Sequence, residues 1–503
     1  MKTKNKLWRL VAGMIILVLA SCYDDKGNYD YHAINQIGIR FEQEAYEVNR
    51  YEELTVAPLL TFTQGEGQEC RYSWILEKPG TTVKQNDTLS NEKILKKVIT
   101  AKSGTYNLCL AVTDPETGVT FRQEASLAVK TELTQGYILL CEKGGKMALD
   151  MLARKSLITD GKDNFKLLKN LEAGLPVAEK PLSLRYSVSV ETDMDTWDDV
   201  FYHFTGICTE NAMIHLDENL EVEPYLDVNL YASAPFAQPL RPQNDFYMGG
   251  SEYFFANGDF YFRSNGFSPE LFGAPANSAD ESYQLYPDMM AFGSSAKQAL
   301  YYDITNRRFV YFKSGDFLSP FLPEDPKSEY FNIDKEMLYM CGPRYGKNGY
   351  AVTRDPEGNP IDLYVYTGTK AADALPVIYP LDDLPGIHDA RFFDIPEKQP
   401  YLFYATETEV YQLNYDLGKA TLQHVYSAAE GKKIVRMKFN RFTNYNSYHE
   451  GADRLLVCVN GSGPEDSCGE LHIFSIAEGN VKPVEFGSYS GIAKIVDVAY
   501  KEQ

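Results

Sequence analysis

The densest set of oxygen donors in the chain is the stretch ETDMDTWDDVFYHF, in which Glu191, Asp193, Asp195, Asp198 and Asp199 crowd around Trp197. Closely spaced carboxylates can surround a hard cation such as Ca²⁺, and a tryptophan beside them can stack on the face of a sugar. The stretch lacks the glycine and the distal glutamate of an EF-hand loop, so Asp193, Asp195, Asp198 and Asp199 are calcium candidates set against a plain solvated turn. A second stretch, FNRFTNYNSYHEGADR, places Phe442, Asn444, Tyr445, Asn446, Tyr448 and His449 between two strand-like runs. Tyrosine supplies rigid contact area and asparagine supplies both donor and acceptor, a combination suited to adaptable binding loops. With Trp197, these residues are the candidates for ligand or partner contact, the alternative being tyrosines that pack a connecting loop onto its neighbour.

Catalytic spacings are missing. The chain has no H-E-x-x-H, no G-x-S-x-G and no G-x-x-x-x-G-K-[ST], and its seven histidines are never at metal-ligand spacing. No catalytic residue and no obligatory cofactor is assigned, so the chain reads as a binder and not an enzyme. A formal charge of -21 argues against nucleic acid as a partner. Tyrosine outnumbers tryptophan 36 to 3, which favours sheet proteins with wet, adhesive rims. Of the eight cysteines, only Cys458 and Cys468, flanking VNGSGPEDS, suggest a disulfide; there is no C-x-x-C.

The elements that must carry these residues begin with an export segment. Residues 1–21 run from Lys2, Lys4, Lys6 and Arg9 into an apolar stretch, Leu10 to Ala20, too short to span a bilayer comfortably. Leu19-Ala20-Ser21-Cys22 resembles the bacterial lipobox, which implies acylation of the Cys22 thiol, for example with palmitate, and removal of everything before it. Two or three chains at ~0.8 kcal/mol per buried methylene anchor firmly where one binds marginally. Tyr23, Asp24 and Asp25 resemble the acidic signal that sends Bacteroidota lipoproteins to the outer face of the outer membrane. Residues 22–33 then form a lipidated tether.

From 34 to 131 the text alternates as short strands. RYSWILEKPG sets Tyr72 and Trp74 on one face, and SGTYNLCLAVTDPETGVTF does the same for Tyr106, Leu108, Leu110 and Val112 before an Asp-Pro-Glu-Thr-Gly turn. From 132 to 503 strand pairs recur every 40 to 55 residues or so, as in ALYYDITNRRFVYF and EVYQLNYDLGKATLQHV. This spacing predicts an all-β chain: an immunoglobulin-like sandwich followed by a β-propeller of about seven blades. The final run, AKIVDVAY, is expected to close the ring beside a blade that starts near Gly136. Short helices are expected only near 145–156 and 165–173.

The aromatic strand, Gly-Thr-Tyr and Thr-Asp-x-x-x-Gly of residues 34–131 resemble the PKD module, although Glu77-Lys78-Pro79-Gly80 replaces its usual Gly-Asp-Gly. Together with SCYDDKGNYDY, the order of parts resembles the PKD-like surface lipoproteins of Bacteroidota. The resemblance implies an accessory role beside a starch-utilisation-type (SusCD-like) system, a TonB-dependent transporter with its lipoprotein lid. The expected ligand is an oligopeptide or a glycan. The alternatives are a surface hydrolase or lyase, and a purely structural transporter subunit.

Overall fold

The computed structural model describes residues 35–50, 52–64, 69–78, 87–155, 164–172, 175, 179–192, 199–222, 239–248, 251–264, 272–273, 275–277, 281–292, 296–313, 317–342, 348–440 and 450–502. The chain divides into two compact units, Met1–Lys130 and Thr131–Gln503.

In the first unit a five-stranded sheet runs in the order Ala45–Asn49, Thr120–Lys130, Gly104–Thr113, Arg71–Glu77, Asp87–Ser90. Two strand pairs, Ile37–Arg40 with Leu59–Phe62 and Glu53–Val56 with Leu95–Val98, complete it. The period-two pattern of the sequence is what packs this core. Trp74, Leu108, Leu110 and Val112 are buried together with Leu127, and Trp74 Nε1 donates to the Glu92 carbonyl at 3.1 Å. The Asp-Pro-Glu-Thr-Gly turn closes because the Asp114 carboxylate accepts from Glu116 N and Thr117 Oγ1, both at 3.0 Å.

Among the described residues the second unit is a propeller of seven sheets. The first blade combines Lys494–Lys501, Gly136–Lys143, Lys146–Arg154 and Phe165–Leu168, in that order outward. Blades two and three each show three strands: Pro181–Thr192, Asp199–Thr209 and Met213–Leu216, then Pro242–Met248, Ser251–Ala256 and Asp259–Ser264. The fourth has Met290–Ala291, Ala299–Asp303, Arg308–Phe312 and Leu318–Pro320, and the fifth Glu336–Cys341, Asn348–Arg354, Ile361–Thr367 and Leu375–Pro380. Phe392–Asp394, Tyr401–Ala405, Glu409–Asn414 and Gln423–Ser427 make the sixth, and Lys433–Phe439, Arg454–Asn460, Gly469–Ser475 and Val484–Ile492 the seventh. Tight hairpins are built where the chain can take positive φ, as at Asn257-Gly258 (58° and 82°) between two strands of blade three.

The ring is proved by its cores. Each apolar cluster is shared by two successive blades, and the series returns to its start: Leu139, Cys141 and Leu152 of blade one pack on Leu456, Cys458 and Ile473 of blade seven. On the opposite face of the same strands, Ile138, Leu140 and Leu149 pack on Leu184, Val188 and Ile207 of blade two. Alternate residues therefore serve alternate interfaces, and both faces are buried. Lys494–Lys501 pairs antiparallel with Gly136–Lys143, closing the ring as the sequence predicts.

Two expectations are corrected here. The stretches read as short helices near 145–156 and 165–173 are the strands Lys146–Arg154 and Phe165–Leu168 where they are described. Lys146–Arg154 is buried on both faces, so its text cannot be told from a buried helix, and the outer strand Phe165–Leu168 is too short to show a period. Cys458 and Cys468 are not bridged; both are free thiols, the first buried between blades and the second half-buried in a turn.

Candidate functional site

The innermost strands of the ring surround a cavity of about 600 Å³ on the propeller axis. Its wall takes residues from all seven blades, including Arg185, Asn244, Asp288, Tyr339, Asp394, Arg436, Lys438 and Asp497. Inner strands have one edge paired within their blade and the other facing the axis. Their outer N–H groups therefore need partners that no neighbouring strand supplies.

Side-chain carboxylates meet that need. Asp497 of blade one accepts from Leu184 N of blade two at 2.9 Å and from Val498 N at 2.8 Å. Asp394 of blade six does the same for Phe439 N of blade seven at 2.7 Å, while its other oxygen takes Tyr339 OH at 2.7 Å and Ile395 N at 2.8 Å. Each carboxylate thus clasps two neighbouring blades from inside the ring.

Asp497 also collects charge. Lys438 Nζ lies 2.7 Å and Arg436 Nε 3.0 Å from the same oxygen, Oδ1. The Arg436 contact is off the line a hydrogen bond requires, so it is a charge contact alone. Burial by itself would push the Asp497 carboxyl up; the Arg436 and Lys438 cations and the N–H of Leu184 outweigh it and hold the group below the usual carboxylate range. Lys438 moves down too, first through burial and then through the neighbouring Arg436 and Arg185, against the pull of Asp497. Lys438 is deep in the protein, yet 25% of its side chain is accessible. The two facts agree because the accessible part faces the cavity.

Arg185 crosses the mouth of three blades. Its Nε donates to Asn244 Oδ1, its Nη2 lies 3.6 Å from Asp288 Oδ2, and its guanidinium carbon stands 5.7 Å from the centre of the Phe246 ring. Asn244 is fixed in turn by donating to the Pro287 carbonyl at 2.8 Å. At the edge of the wall, Arg391 is paired with Glu407, which also holds Lys433 at 2.9 Å.

Two further buried polar clusters lie off the axis. Between blades two and three, His215 Nε2 is 3.4 Å from Asp245 Oδ2 and 3.5 Å from Glu252 Oε1, with all three side chains buried. Gly206 makes this possible, since a Cβ there would stand 2.1 Å from Asp245 Oδ2. Nearer the chain end, Tyr186 OH sits against His203 Nδ1 and donates to the Glu502 carbonyl at 3.2 Å. Lys501, only 3% exposed, donates to the Thr134 carbonyl at 2.9 Å.

Burial pushes Lys501 down from 10.5 to about 8, with Glu218 and Asp217 pulling it back. Between these values the folded chain binds fewer protons than the unfolded one, so this lysine makes stability rise with pH there; below about 8 its penalty is complete. That penalty is about 3 kcal/mol, and the bond to Thr134 returns about 1 kcal/mol. Lys501→Met is therefore expected to stabilise the protein by about 2 kcal/mol at pH 7. The gain should disappear in unfolding curves measured near pH 10; a destabilised variant at neutral pH would contradict the account.

Cys22, Tyr23, Asp24 and Asp25 lie outside the described residues, as do Trp197, Asp193, Asp195, Asp198, Phe442, Asn444, Tyr445, Asn446, Tyr448 and His449; for Asp199 only the backbone is described. Residues 193–198 connect the first two strands of blade two, and 441–449 the first two of blade seven. The second stretch thus links two strands of one blade. Among the described residues no group of three His, Cys, Asp or Glu is placed to hold a metal. The cavity residues themselves escaped notice because Arg185, Arg436, Lys438 and Asp497 are isolated charges in strands far apart in sequence. The one available signal was a charged residue alternating with buried apolar ones, as in KIVRMKF and KIVDVAY.

Residues 22–172 match the PKD-like family. The PKD-like match takes in the first unit and runs on through the three outer strands of blade one. No curated protein matches the sequence. Among solved structures the chain is similar to a quinonprotein alcohol dehydrogenase-like protein from Bacteroides thetaiotaomicron, at 14% identity over 92% of this chain and 97% of the other, with a TM-score of 0.42. It is also similar to the WD40 domain of SCAP from fission yeast, at 11% identity over 71% and 74% of the two chains, with a TM-score of 0.23. The propeller itself stands on the sheet order and the cyclic series of cores.

Proposed function

We propose that the protein is a ligand-binding propeller tethered through Cys22 to the outer membrane, facing the exterior. It takes up a small polar nutrient, an oligopeptide or a short glycan, on the propeller axis and serves a TonB-dependent transporter. The observation that carries the binding reading is the cavity of about 600 Å³ with charged and aromatic side chains from every blade converging on it. A volume of this order suits a small molecule, and a few placed polar groups among apolar ones fix its orientation. The lipobox-like Leu19-Ala20-Ser21-Cys22 and the PKD-like match support the tether. Binding without turnover is favoured by the sequence, which offers no catalytic spacing.

The test is calorimetric titration of the full chain in detergent with a panel of tripeptides and di- to tetrasaccharides, each followed for turnover. Saturable one-site binding is expected. Leu182, 38% exposed on the cavity wall, gives a control: Leu182→Trp adds bulk without disturbing a core, and should weaken binding about tenfold or more at unchanged melting temperature. Turnover of any panel member would replace the binder with an enzyme.

A further inference from the structure

We propose that the axial cavity holds a carboxylate of its ligand, with the free edge of Arg436 as the main contact and Arg185 and Lys438 beside it. This rests on the reading that the cavity is the binding site. Three of the four cations on the cavity wall come from blades two and seven, and among the described residues the carboxylates paired with these three are Asp497 and Asp288. The oxygens of Asp497 are already shared among Arg436, Lys438, Leu184 N and Val498 N. The third carboxylate of the wall, Asp394, is engaged by Tyr339 OH and two backbone N–H groups, away from this trio.

Arg436 is the decisive residue. Among the described residues its Nη1 and Nη2 make no hydrogen bond, while 30% of its side chain is accessible and it lines the cavity. A guanidinium that meets Asp497 only through a charge contact at Nε presents its planar terminal fork to whatever enters, and that fork matches a carboxylate with two parallel N–H bonds. Lys438 is close enough to both Arg436 and Arg185 to be repelled by each. The three cations and the two carboxylates paired with them, Asp497 and Asp288, leave a single positive charge to be met, which suits a monoanion better than a doubly charged phosphate. In a chain of net charge -21 a cation-rich cavity also stands out against the surface around it.

The carboxylate can come from a peptide C-terminus or from a uronic acid, and the experiment separates the two. The full chain in detergent is titrated with trialanine and its C-terminal amide, and with digalacturonate and maltose. At least one acid is expected to bind about tenfold to hundredfold tighter than its neutral counterpart, and which pair shows it names the source. Arg436→Gln should erase that preference, and Arg436→Lys, which keeps the charge without the fork, should restore only part of it. Arg185→Gln, outside the Asp497 cluster, should reduce it independently, and melting curves confirm that each variant is folded. Equal binding of acid and neutral forms, blocked by Leu182→Trp, overturns the carboxylate subsite and leaves the cavity as the binding site. An unchanged preference in folded Arg436→Gln also overturns it. Absence of binding by all four compounds at about 10 mM overturns both readings.

Discussion

A chain ending at Ala493 is expected to lose the cooperative unfolding transition of the propeller altogether. The missing strand, Lys494–Lys501, is the innermost of blade one and pairs with Gly136–Lys143 from Gly136 opposite Lys501 to Glu142 opposite Lys494. Without it, that edge is bare, and Tyr137 loses Tyr500, whose ring lies 4.8 Å away. Ile495, Val498, Ala499 and Tyr500 are all buried, at about 1.5 to 3 kcal/mol for each large side chain, so their loss approaches the whole stability of an ordinary domain. The Asp497 clasp on Leu184 goes with them. The first unit has its own core around Trp74 and should keep a separate transition. Calorimetry decides the matter: two transitions in the parent and one in the truncated chain are expected, and a truncated propeller melting within a few degrees of the parent would refute the closure argument.

Asp497→Ala should cost about 3 to 5 kcal/mol, because it strands two cations and two backbone N–H groups inside the ring. Asp497→Asn keeps an acceptor for Leu184 N and should cost less. If the damage is uncompensated charge, then Lys438→Met in the Asp497→Ala background should recover part of it, which a purely steric defect would not allow. The pH dependence follows from the lowered pKa of Asp497. Its contribution is fully present above the ordinary value of 3.8 and is lost as pH falls through the lower folded value. The gap between parent and Asp497→Ala should therefore be constant in the neutral range and close only in strong acid. A gap that closes between pH 5 and 7 would assign the effect to another group.

How much of this was legible in the text depended on which face of a strand was read. In the first unit one face meets the core and the other meets water, so Trp74, Leu108, Leu110 and Val112 announced themselves by alternation. In the propeller the middle strands are buried on both sides, and GYILLC or KMALDML shows only greasiness, enough to count blades and too little to exclude a helix. The inner strands were hardest. Pro181–Thr192 and Lys433–Phe439 turn Arg185, Arg436 and Lys438 to the axis, so in sequence they look like polar connections and not like the first strands of blades two and seven. The same feature hid the candidate site. Composition pointed to dense clusters such as Asp193 to Asp199, whereas the cavity gathers one or two charges from each of several distant strands, a grouping that exists only after the ring has closed.

The order of strands in blade one carries a consequence for how the protein comes into being. Its three outer strands are synthesised first, and the strand that completes them arrives only after six other blades have been made. Until then Gly136–Lys143 must wait with an open edge, and the ends of the ring must find each other across a long stretch of chain, the kind of non-local step that slows folding and exposes intermediates. A clip or premature stop that removes those eight residues is therefore as damaging to the propeller as one in its middle, and the strand that closes the ring acts as a checkpoint on the blades translated before it.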